Sequence, residues 1–103
     1  MSTRQTLIQV RKLVEAGWLQ FYNHTMDNGH DRYCLLGAIN KVTHDNETTA
    51  YVEAKRALAA VIPSREPVSM DRAFWVITKY NDHPGRTQAE VLAVIDLAIA
   101  RAA

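Results

Sequence analysis

Two short stretches of this chain hold side chains whose types and spacing could do chemistry. The first is Pro84-Gly85-Arg86-Thr87, directly ahead of a helical pattern. The leading N–H groups of a helix lack intrahelical partners and carry partial positive charge, so an anion is at home there. Thr87 would add a hydroxyl and Arg86 a guanidinium that forks onto a phosphate or carboxylate, while Gly85 lets a ligand approach the backbone closely. The same residues also have a purely architectural reading. Thr87 with Glu90 makes a capping box, Gly85 suits the turn after Pro84, and Arg86 can bridge to Asp82 or to the end of the preceding helix. The stretch lacks the longer spacing of a phosphate-binding loop.

The second is Cys34, the single cysteine of the chain. At a helix start its thiol could be acidified and serve as a nucleophile with His24 or His30. Its neighbours Tyr33, Leu35 and Leu36 favour the alternative of a small buried hydrophobe. One cysteine cannot form an internal disulfide or a Cys-x-x-Cys site. His24, His30 and Cys34 match no standard zinc spacing and a structural site would want a fourth ligand, for which His44 is the only other nearby donor, so neither a metal nor a cofactor is expected. Trp18, Phe74 and Trp75, joined by Tyr80 and Asp82, form a candidate ligand pocket, although aromatic residues at helical spacing more often fill a core.

The elements that must position these residues can be read from periodicity. Ser2 and Gln5 make a capping box for a first helix whose buried stripe is Leu7, Val10 and Val14, with Arg4, Arg11, Lys12 and Glu15 left in water. Gly17 ends it as a left-handed residue would. Trp18-Leu19-Gln20-Phe21-Tyr22 is aromatic-rich and suits a strand. Asn28-Gly29 then turns a hairpin that places His24 opposite Tyr33 and Thr25 opposite Arg32. Cys34 to about Val42 reads as a helix, Tyr51 to Ile62 as another that Pro63 ends, and Pro63-Ser64-Arg65-Glu66-Pro67 as a loop. Ser69 caps a fourth helix carrying Met70, Asp71, Ala73, Phe74, Ile77 and Tyr80, which Asn81-Asp82-His83-Pro84-Gly85 breaks. The last helix runs from Thr87 to about Arg101. Its stripe of Val91, Val94, Ile95 and Ala98, widened by Leu92 and Ile99, predicts a central helix or one that meets a second copy of the chain.

The segments Gly17-Trp18, Cys34-Leu35-Leu36-Gly37-Ala38-Ile39 and Asn81-Asp82-His83-Pro84-Gly85-Arg86-Thr87, running into Gln88-Ala89-Glu90-Val91, resemble a family of small uncharacterised bacterial and phage proteins. It is a domain of unknown function with a Cys-Leu-x-Gly-Ala segment and an Asn-Asp-x-Pro-Gly-Arg-Thr helix start. The pattern spans most of the chain, apart from residues 43–68. The resemblance implies a compact domain and no catalytic role.

Composition narrows the field. The 103 residues suit one domain over 1–103, and 48% hydrophobic residues suffice for a packed core. Twelve basic against eleven acidic residues leave a net charge of +1, which gives no pull toward nucleic acid or acidic membrane. No apolar run approaches a membrane span, and the start lacks a signal core, so a cytoplasmic protein is expected. Asn46-Glu47-Thr48 matches a glycosylation sequon only formally. The expected fold is mainly α, about five helices with one small β-hairpin over residues 18–33. The expected function is a non-enzymatic binding module for a partner protein or a small anionic, nucleotide-like ligand, in a phage or regulatory context, with a homodimer as a further expectation. The rivals are a Cys34-dependent enzyme and a helix-turn-helix-like DNA-binding regulator. The apolar last helix speaks against the latter.

Overall fold

The computed structural model describes every residue except 1, 23, 28, 45–47, 64–69 and 103, and the side chains of residues 27, 70 and 71. The expected roles of Asn28, Ser69, Met70 and Asp71, the loop at 64–67 and the formal sequon fall wholly or partly outside the described residues. Five helices and one antiparallel hairpin follow in the order α1 (Thr3–Ala16), β1 (His24–Asp27), β2 (His30–Tyr33), α2 (Leu35–Thr43), α3 (Thr49–Val61), α4 (Met70–Asp82) and α5 (Gln88–Arg101).

Local chemistry accounts for most boundaries. The Ser2 hydroxyl accepts from the N–H of Gln5, whose side chain accepts from the N–H of Ser2, and Thr87 and Glu90 repeat the exchange at the start of α5. Cys34 caps α2 with its sulfur, and Thr48 caps α3 with its hydroxyl. The hairpin register pairs His24 with Tyr33 and Thr25 with Arg32, as the spacing predicts. The strands are shorter than the sequence suggests. Of the expected strand at 18–22, only the start pairs with β2: Trp18 forms one parallel bridge to Tyr33, closed on one side by the Leu19 N–H donating to the Tyr33 carbonyl at 3.3 Å. Phe21 adopts φ +74°, which no strand accommodates. Asn81 and Asp82, expected to break the fourth helix, instead form its last turn.

Gly17 also departs from expectation. Its φ of −176° is extended backbone open to any residue. Its glycine has a steric cause, because a Cβ there would lie 2.6 Å from the carbonyl oxygen of Asp31. The bare backbone lets the end of α1 lie against β2, where the N–H of Tyr33 donates to the Gly17 carbonyl at 3.0 Å.

One core runs through the molecule. Leu7, Val10 and Val14 of α1, Leu35 and Ile39 of α2, Leu58 of α3, Ile77 of α4 and Ile95 of α5 are all fully buried within it. The last helix is not central, however. It lies chiefly against α1 and α3, while α2 packs on α1, α3, α4 and β2. These neighbours bury Val91, Val94, Ile95 and Ala98 of the α5 apolar arc, with Leu92 and Ile99 half-buried and Leu97 turned to solvent. Arg11 ties α1 to α5 by an ion pair with Asp96, and Gln88 donates to the Val14 carbonyl at the end of α1. Among the described residues no helix is long and apolar enough to cross a membrane.

Candidate functional site

The last turn of α4 holds a polar side chain with almost no solvent exposure, Asn81. Burial of an amide is tolerable only if its donors and acceptor are engaged. Its oxygen accepts from the Trp18 indole at 2.7 Å and from the Leu35 N–H at 3.0 Å. Its nitrogen donates to the Leu19 carbonyl at 3.1 Å and to Asp82 Oδ1 at 2.9 Å. Asn81 therefore joins three pieces of chain, namely the segment after α1, the first turn of α2 and the end of α4.

The segment after α1 is bound to that turn residue by residue. Gln20 Nε2 donates to the carbonyls of Asn81 at 3.0 Å and His83 at 2.9 Å, closing acceptors that a helix end leaves open. The N–H of Phe21 donates to Asp82 Oδ1 at 2.8 Å. These bonds hold Phe21 in the left-handed region, where a bulky residue costs about 1–3 kcal/mol. Packing does not compensate the strain, because Phe21 is 68% exposed and the adjacent Tyr22 71%.

Phe21 and Tyr22 rise beside Phe74 of α4 around a cavity of about 80 Å³. Buried Cys34 and Leu36 line it from α2, and Thr78, Asn81 and Asp82 line it from α4. Small-molecule sites begin at roughly 300 Å³, so this cavity takes the end of one side chain and no nucleotide. Burial pushes the Cys34 thiol above its ordinary pKa, partly offset by the Gly37 and Leu36 N–H groups, with the Gly37 N–H donating to its sulfur at 3.2 Å. That direction is opposite to the acidification expected of a nucleophilic thiol at a helix start.

The residues proposed for an anion site are brought together differently. Arg86 Nε donates to the Tyr80 carbonyl at 2.8 Å, Nη1 to Glu90 Oε2 at 3.1 Å, and the guanidinium lies 3.7 Å from the centroid of the Tyr80 ring. Glu90 Oε1 accepts from the N–H of Thr87 at 2.9 Å, which holds the Glu90 carboxyl below its ordinary pKa. Gly85 sits in the turn with φ +82°. Arg86 thus joins α4 to α5, one of the two architectural readings of the sequence, and its alternative partner Asp82 faces Phe21 instead. Tyr80 belongs with Arg86, and Trp18 and Asp82 meet at Asn81. Trp75 stands apart from the cavity, half-exposed and edge-on to Phe74.

The remaining candidates are separated. His24 stacks on Tyr33 and pairs with Asp31 at 2.8 Å, while His30 lines a different cleft with Arg32 and Gln88. Among the described residues no group of three or more His, Cys, Asp or Glu could hold a metal. The exposed positions of α5 include Glu90, Asp96 and Arg101, two carboxylates to one cation, a poor match to a phosphate backbone.

Sequence reasoning missed Asn81 as a hub and Phe21 and Tyr22 as a surface. Asn81 stood inside a run read as a helix breaker, and nothing local marks a phenylalanine for positive φ. The Gly17-Trp18 pair and the Asn81-Asp82 pair, already conspicuous in the motif pattern, were the available signal. A family model described as a family of unknown function (DUF6197) matches residues 1–101. No curated protein and no solved structure matches the chain.

Proposed function

The chain belongs to that family of unknown function, so membership lends it no activity, and from its own geometry we propose a non-enzymatic module that docks a partner protein on the aromatic surface of Phe21, Tyr22 and Phe74. The observation that carries this reading is Phe21, held at φ +74° with 68% of its surface in water. Strain that contributes no packing to the fold is a reason to look for function. Exposed aromatics with few rotatable bonds are also what protein interfaces use as anchors. The buried, neutral Cys34 thiol favours this reading over an enzyme, and the engaged Arg86 favours it over a small anion. A regulatory role in the cytoplasm of a bacterium or in a phage completes the proposal.

The test is Phe21→Gly. Glycine adopts the left-handed backbone freely, so the variant keeps the fold and loses only the ring. A random peptide library is selected on the wild-type protein and the winners are re-measured on the variant. Peptides that lose at least tenfold in affinity, on a variant at least as heat-stable as the wild type, support docking. Winners that bind both equally, no winners at all, or a variant that melts early would overturn it.

A further inference from the structure

The cavity between Phe21, Tyr22 and Phe74 has a charge character that selects its occupant. Asp82 lines it, and among the described residues Asp82 forms no salt bridge. Its Oδ1 is taken by two donors, the N–H of Phe21 and the Asn81 amide, whereas Oδ2 accepts no hydrogen bond among the described residues. None of the described lining residues carries a positive charge. A half-buried carboxylate with no counter-charge among the described residues, beside three aromatic residues, is an environment in which a cation is stabilised twice. The faces of the rings attract it through their quadrupoles, and the carboxylate attracts it by direct charge.

We propose that this cavity receives the alkylammonium group of a lysine side chain on the docked partner, with Phe21, Tyr22 and Phe74 around the cation and Asp82 Oδ2 as its hydrogen-bond acceptor. The inference rests on the docking reading above and adds the chemistry of the anchor. Ammonium is preferred to guanidinium on geometric grounds. A fork of two parallel N–H bonds requires both oxygens of a carboxylate, and Oδ1 is already occupied. An ammonium is a point charge that needs only Oδ2. The volume of about 80 Å³ admits the end of one such chain and little more. The four-carbon stem of lysine would lie along the exposed aromatic surface, as amphipathic stems do.

The probes are N-acetyl-lysine methylamide, N-acetyl-arginine methylamide and the uncharged N-acetyl-norleucine methylamide, titrated at millimolar concentration into the isotopically labelled protein. The amide resonances of Phe21, Tyr22 and Asp82 are followed. The lysine probe is expected to shift them saturably and to bind at least tenfold more tightly than norleucine. Asp82→Asn, which retains an oxygen for the Phe21 N–H, is expected to abolish that preference. Phe74→Leu, which keeps apolar bulk without a quadrupole, is expected to weaken the lysine probe several-fold and provides a second route should Asp82→Asn fail to fold. Norleucine binding as tightly as lysine, or arginine binding as tightly as lysine, would overturn the ammonium assignment. If in addition the selected peptides depend on Phe21 but carry no lysine, the docking surface stands and only the ammonium assignment falls. If no probe binds and no peptide distinguishes wild type from Phe21→Gly, both readings fall together.

Discussion

Trp18 and Asn81 stand 63 residues apart in the chain, and the indole N–H of one donates to the amide oxygen of the other at 2.7 Å. The contact is the centre of a small polar network inside a largely apolar interior. It fixes where the segment after α1 leaves the core, and so where the exposed aromatics stand.

Removing the hub should be costly. Asn81→Ala leaves the Trp18 indole, the Leu35 N–H and the Leu19 carbonyl without their partner, at about 1–3 kcal/mol for each group that stays buried. A loss of about 3 kcal/mol or more in denaturant unfolding is expected. Asn81→Asp should also destabilise, since it loses both donors and sets a second carboxylate beside Asp82. Near-wild-type stability of either variant would contradict the network.

Arg86 is expected to behave as a strut. Arg86→Ala forfeits the hydrogen bond to the Tyr80 carbonyl, the stacking on its ring and the exposed ion pair with Glu90, together about 1–3 kcal/mol. Arg101→Ala, on the exposed side of α5, should stay within about 0.5 kcal/mol of wild type. Arg86→Lys should recover little, because an ammonium reproduces neither the planar stack nor the simultaneous N–H bonds to the Tyr80 carbonyl and Glu90. Paired thermal melts decide the matter, and equal melting of Arg86→Ala and Arg101→Ala would refute the strut.

Two glycines should fail for different reasons. Gly29 has φ +79° and open space where a side chain would go, so Gly29→Ala should cost about 1–2 kcal/mol and Gly29→Asn much less. At Gly17 the backbone is unstrained but the Asp31 carbonyl blocks a Cβ, so alanine and asparagine should both cost about 1–3 kcal/mol. Rescue by asparagine at position 17 would show that the close approach is wrongly described.

Alkaline pH should weaken the fold from the Cys34 side. Burial raises the thiol pKa in the folded chain, and it does the same for the Tyr51 phenol. A raised folded pKa contributes stability that is complete below the unfolded pKa and is lost as pH climbs toward the folded one. The melting temperature should therefore fall above about pH 8.5, where an unfolded thiol ionises, and again near about pH 10 for the phenol. Cys34→Ala should flatten the first part of that fall. Native Cys34 should also react with a thiol reagent far more slowly than the unfolded chain, and labelling of the native protein at the unfolded rate at neutral pH would contradict its burial.

What the sequence disclosed was whatever neighbours in the chain decide. Both capping boxes join residues three apart, the buried stripe of α1 repeats every three or four, and the hairpin register follows from a two-residue loop. Each could be read before any fold was known. Gly17 was recognised as a stop, but its cause lies in Asp31, on a strand that no local rule places beside it. Asn81 escaped for the same reason, since its partners Trp18, Leu19 and Leu35 lie 46–63 residues away. The candidate anion site was legible as local electrostatics and yet incomplete, because the carbonyl of Tyr80 that engages Arg86 comes from the preceding helix. Phe21 was the least legible of all. A positive φ on an aromatic residue is imposed by Asp82 and has no signature of its own.

The bonds that tie residues 18–21 to the end of α4 each span 61 to 63 residues. Closing loops of that size demands chain entropy before any contact returns it, whereas the helices and the hairpin close within a few residues. On these grounds the aromatic surface forms after the helices and the hairpin, once α4 has docked. A partial intermediate with α1, the hairpin and α2 already formed still lacks the anchor that turns Phe21 outward. Hydrogen exchange should find the Phe21 amide among the first to open, well before those of α1. A partner that recognises this surface would thus meet only molecules whose fourth helix has docked.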